Sequence, residues 1–128
     1  MPATVSFDFA VIRIVPRVER GEFINVGVIV FSAEKKFLQA IIHVDEVRLT
    51  ALWPEHDSDE LHRHLRALVD ICAGEPEAGP VAKLSVSERF HWLVAPRSTV
   101  IQVSPVHTGL CESPEAALED LLQRLVEL

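Results

Sequence analysis

Residues 6–15 read Ser6-Phe-Asp-Phe-Ala-Val-Ile-Arg-Ile-Val15, and residues 22–31 read Glu22-Phe-Ile-Asn-Val-Gly-Val-Ile-Val-Phe31. Both runs are dense in β-branched and aromatic side chains, the composition of strands. The segment between them, Pro16-Arg-Val-Glu-Arg-Gly21, opens on a proline and closes on a glycine, which punctuates a short turn. An antiparallel hairpin follows. Both of its faces are largely apolar, which predicts a central place in the sheet, covered on each side or by another subunit on one.

Downstream of the hairpin, a second turn at 32–35 leads into a third strand over about 36–43. Asp45 is placed to cap a short helix that Pro54 stops at Trp53. From Ser58, the residues Leu61, Leu65, Leu68, Val69 and Cys72 recur at helical spacing, and Gly74 ends the helix. Residues 73–82, rich in Gly, Pro, Ala and Glu, read as a loop. Ser85 and Glu88 have capping-box spacing and open a helix that puts Phe90, Leu93 and Val94 on one face and closes at Pro96. Thr99 to Val103 reads as a fourth strand. Ser113 and Pro114 suit the N-cap and first turn of a last helix, whose buried stripe is Leu118, Leu121, Leu122 and Leu125. The order predicts an α+β fold: an antiparallel or mixed sheet of about four strands opening with a hairpin, helices packed on it, in a single domain over residues 1–128.

Composition narrows the function classes. At 128 residues the chain has the usual length of one domain. A net charge of -7 opposes general nucleic-acid binding, which needs clustered Lys and Arg. The longest apolar runs, such as Val26 to Phe31, are far too short to span a membrane. The first residues lack the basic-then-apolar pattern of a secretory signal, so a cytoplasmic location is expected. Cys72 and Cys111 then read as reduced thiols. Nothing in the chain asks for a cofactor. His56, His62 and His64 do not make a metal site, because His62 and His64 lie about 200° apart on a helix.

Strand alternation marks the candidate site. With the hairpin closing about Glu19, Arg13 faces Asn25 and Val11 faces Gly27, on one side with Phe9, Val15 and Phe23. A guanidinium, an amide and a glycine gap together could hold an anion. The competing reading pairs Arg13 with a carboxylate from a covering helix and lets Asn25 tie down a loop. Arg97, Ser98 and Thr99, at a helix-to-strand junction, offer a cation, hydroxyls and backbone amides for a phosphate. Alternatively, Arg97 only covers a helix C-terminus. His107 precedes Cys111 by four residues, the material of a Cys–His nucleophile pair, though a hydrogen-bonding loop histidine is the simpler reading.

The stretch Phe7 to Phe31, with its string Arg20-Gly-Glu-Phe-Ile-Asn-Val-Gly27, resembles the opening of the bacterial family named domain of unknown function 3037 (DUF3037). Residues 90–102 and Pro105-Val-His-Thr-Gly-Leu110 are similar to that family's later part. The resemblance implies a stand-alone bacterial cytosolic domain. Members beside HipA-like kinase proteins would imply a protein partner or a regulated enzyme. It picks out Arg13, Arg20, Glu22, Asn25, Gly27, Arg97, Ser98, His107 and Gly109.

Three functions follow in order of preference. The first is a binding or accessory module, with the hairpin and the 97–109 segment forming one polar pocket for an anionic small molecule or a partner's acidic segment. It requires Arg13, Asn25, Arg97 and His107 to converge. The second is a small hydrolase or phosphate-handling enzyme, with Glu22 or His107 as general base and Arg97 steadying charge. The third is a structural protein, dimerising through a sheet face or edge.

Overall fold

The computed structural model describes residues 4–97 and 99–127. Among the described residues, five strands build one antiparallel sheet: β1 (Val5–Ile14), β2 (Ile24–Ser32), β3 (Phe37–Ile42), β4 (Ile101–Val103) and β5 (His107–Cys111). The order is β3-β2-β1-β4, and β5 also pairs with β1, so β4 and β5 share one edge of that strand. The helices are α1 (Glu46–Leu52), α2 (Ser58–Ala73), α3 (Val86–Leu93) and α4 (Pro114–Leu125). The α+β architecture and the opening hairpin match the sequence expectation.

Both faces of β1 and β2 are covered, which is why their sequences lack clean alternation. On one face Ile12, Ile14, Ile24, Val26, Ile29 and Phe31 pack with Leu49, Leu65, Phe90 and Leu93 from the first three helices. On the other, Phe7, Val28 and Val30 pack with Leu118, Leu121 and Leu122 of α4. The helix starts follow the expected capping chemistry. Asp45 accepts from the amides of Val47 and Arg48, Asp57 from Glu60, Ser85 from Glu88 and Ser113 from Ala116. Gly74 closes α2 in the left-handed conformation.

The hairpin register departs from the expectation at one point. Arg13 does face Asn25, but Ile12 faces Gly27 and Val11 faces Val28. Val26 is therefore an extra residue, a β-bulge. Its carbonyl accepts from the amide of His43 at 2.7 Å, so the interrupted ladder keeps a partner there. The bulge resets side-chain parity, and Gly27 turns away from the Arg13–Asn25 face. A Cβ at Gly27 would stand 2.7 Å from both the Ile41 carbonyl oxygen and Ile42 Cδ1. The glycine admits a neighbouring strand, and the space it leaves lies on the face away from Arg13.

Two further expectations are corrected at the C-terminal side. The fourth strand is shorter, beginning at Ile101, and residues 107–111 form a fifth strand where a loop was expected. Gly109 lies opposite Phe7, and a Cβ there would come within 2.9 Å of the Phe7 ring. The aromatic side chain thus occupies the space over Gly109. The 73–82 segment contains two 3-10 turns, Pro76–Ala78 and Pro80–Lys83. Among the described residues, no helix is long and apolar enough to cross a membrane.

Candidate functional site

The apolar stripe of α2 packs into the core, and part of it borders an open groove. Leu65 and Cys72 are buried in the core beneath the helix, while Leu61, Leu68 and Ile71 also form the floor of an open groove. Leu93 of α3, with Val100 and Ile101 at the start of β4, forms the opposite wall. Trp53, just after α1, and Trp92, on α3, stand at its rim with Arg97, Thr99, Glu55, Asp57, Glu60 and His64. The groove encloses about 730 Å³. It has the size and the mostly apolar lining of a small-molecule site.

Arg97 belongs to this groove. Its guanidinium carbon lies 4.3 Å from the centre of the Trp92 ring, and Nη2 donates to the Trp92 carbonyl at 2.7 Å. The side chain thus covers the end of α3, as the simpler sequence reading held, and also stacks on an exposed indole. Thr99 Oγ1 donates to the Ile101 carbonyl and Gln102 Nε2 to the Thr99 carbonyl, which shapes the loop into β4. Ser98 lies outside the described residues.

Arg13 and Asn25 sit on the other face of the sheet, beside α4. Arg13 stacks 4.1 Å above the Phe23 ring, and Asn25 Nδ2 donates to the Leu125 carbonyl at 3.0 Å. Arg13 Nε and Asn25 Oδ1 are buried without a hydrogen-bond partner among the described residues. Arg20 and Glu22 form an exposed ion pair at the hairpin end, lining a second cavity of about 580 Å³ with Arg17, Leu52, Trp53 and Pro54. The Arg20 hydrogen bond, then its charge, holds the Glu22 carboxyl below its usual range and makes it a weaker base. His107 is exposed on β5 opposite Phe9, its ring 5.2 Å from the Phe9 ring centre. Four residues along a strand span about 13 Å, so Cys111 is out of its reach. The candidates therefore fall at four places: Arg13 with Asn25, Arg20 with Glu22, Arg97 with Thr99, and His107 alone.

Sequence reasoning missed two features. Trp53 follows α1 and Trp92 lies on α3, and no spacing links them. The other feature is Glu46, whose carboxylate meets His62 Nε2 at 2.9 Å, His56 Nε2 at 3.3 Å and the donating Ser58 hydroxyl at 3.2 Å. The His62 bond is the largest cause of a lowered Glu46 pKa, ahead of opposing desolvation and the Ser58 and His56 bonds. Ser58 thus donates to the carboxylate and not to an imidazole. Among the described residues, no three His, Cys, Asp or Glu side chains are grouped to hold a metal ion.

A family model described as "Protein of unknown function (DUF3037)" matches residues 9–126. No curated protein and no solved structure matches the chain.

Proposed function

This chain belongs to the DUF3037 family, and from that premise we propose that it is a binding module whose site is the groove between Trp53 and Trp92, taking a small amphipathic molecule. The observation that carries the reading is an apolar groove, with Leu61, Leu68 and Ile71 along its floor, Leu93 and Ile101 in its wall, and two tryptophans at its rim. An apolar body entering the groove would gain about 25 cal/mol for each Å² it removes from water. The polar groups at the rim fix orientation, the usual division of labour in such sites.

This reading keeps the binding-module class and moves the pocket to one face of the sheet. Arg97 and Thr99 belong to it. Asn25 joins sheet to helix on the far face, Arg13 stacks on Phe23 there, and Arg20 with Glu22 borders the neighbouring cavity that Trp53 also lines. A cytoplasmic setting and a bacterial source agree with the reading without being required by it.

The experiment uses N-phenyl-1-naphthylamine, a neutral apolar fluorophore. One molecule per chain should bind, with energy transfer from tryptophan. Ala67 is an exposed α2 residue lining the groove, so Ala67→Phe should fill the space and abolish binding while the protein still melts cooperatively. Unchanged binding in a folded Ala67→Phe protein would place the probe elsewhere and end this reading.

A further inference from the structure

The groove's rim is electrically lopsided. Glu55, Asp57 and Glu60 line the rim around the start of α2, and Arg97, Thr99 and His64 line it as well, so three carboxylates stand against one guanidinium. Arg97 is already engaged, stacked on Trp92 and bonded to its carbonyl. Asp57 spends one oxygen on the α2 cap. Glu55 and Glu60 are exposed and make no side-chain hydrogen bond or ion pair with the described residues. The whole chain carries a net charge of -7, so the surrounding field has the same sign as this rim.

Resting on the groove reading above, we infer that the polar group of the ligand is a cation, an ammonium attached to an apolar body. The apolar part lies over Leu61, Leu68 and Ile71, and the charge emerges beside Glu55 and Glu60. Trp53 lines the same rim, and an indole there could add cation–π attraction. A carboxylate at that end would face like charges in a partly desolvated cleft, where repulsion is stronger than in open water. The volume of about 730 Å³ fits a small molecule.

Decylamine, decanol and decanoate share one chain and differ in head charge, so they separate the two ideas. Both tryptophans of the chain line the groove and the chain has no tyrosine, so intrinsic fluorescence reports on this site directly. Each compound is titrated below its aggregation threshold at low salt. Decylamine should bind about tenfold tighter than decanol, and decanoate most weakly, with the differences shrinking as salt rises. The Glu55→Gln/Glu60→Gln double variant should erase the preference while keeping decanol binding.

Equal binding of amine and alcohol would leave the groove as a site and overturn the cation. Tightest binding by decanoate, lost in Arg97→Ala, would overturn it in favour of an anion at Arg97. A short amphipathic lysine-rich peptide binding more tightly than decylamine would replace the small molecule with a protein segment. Silence from all three decyl compounds would overturn the groove reading together with this one.

Discussion

Asn25 holds the last turn of the chain's final helix: its Nδ2 donates to the Leu125 carbonyl at 3.0 Å across a hundred residues of sequence. Carbonyls at a helix C-terminus lack internal partners and carry partial negative charge. Asn25→Ala should cost about 1 kcal/mol in urea unfolding, the usual net worth of one hydrogen bond. Asn25→Asp should cost more, because it sets a carboxylate against that terminus. Both variants should bind groove ligands like the parent protein. Altered binding would return Asn25 to the ligand site.

Gly27→Ala should be severe for so small a change. The new methyl would meet a backbone oxygen and an isoleucine methyl, each at 2.7 Å, and only the side chain could yield cheaply. Overpacking of this kind costs about 1–3 kcal/mol. Equilibrium unfolding measures it, and parent-like stability would mean that the bulge at Val26 is easily rearranged.

Removing Arg97 should separate stability from binding. Its stacking on Trp92 is exposed, so Arg97→Ala should lose no more than about 0.5–1 kcal/mol. Tryptophan emission from the native protein should change, because Trp92 loses its cationic cover. In a Trp53→Phe background the change should persist, which assigns it to Trp92.

Stability should fall at acid pH through Glu46. Its folded pKa is lowered, chiefly by the His62 hydrogen bond, so the folded state favours the ionised form. The contribution is therefore present above the unfolded value and is lost as pH drops through the lowered folded one. Glu46 is about half exposed, and solvent screening limits the effect to about 0.5 kcal/mol. Glu46→Gln should flatten the acid limb of the stability profile by that amount. An unchanged profile would mean that the pair is fully screened.

The two thiols should react very differently. Burial pushes the Cys72 thiol up to about 12, while Cys111 is partly exposed and shifted upward by burial and then by the Glu115 charge. A disulfide reagent near pH 8 should label Cys111 in the native protein, and Cys72 only on unfolding. Rapid modification of both would show that the α2 side of the core opens readily.

The sequence made some of this legible and hid the rest for identifiable reasons. Local chemistry was readable: Asp45, Ser85 and Ser113 cap as their side chains dictate, and counting back from the turn placed Arg13 opposite Asn25. The count failed beyond Val26, since Gly27 fits either a bulge or a close backbone approach and the string does not separate the two. Strand β5 escaped notice because His107, Thr108 and Leu110 are exposed at a sheet edge and lack an apolar rhythm. The groove was invisible because Trp53, Leu68, Trp92 and Ile101 meet only through tertiary packing. Polar residues in strands drew attention to the hairpin, whereas an apolar groove lining reads as ordinary core.

The shared edge of β1 bears on how the chain is made. The hairpin closes between residues near in sequence, but Ile12–Val103 and Phe9–His107 pairing joins segments about ninety to a hundred residues apart. Loop closure over that distance is slow, so the local hairpin is expected to form first. During synthesis, one flank of an apolar strand therefore waits, its amides and carbonyls unmet, until residues 101–111 have left the ribosome. Any pause before that point lengthens the interval in which a second nascent chain could add itself to the open flank.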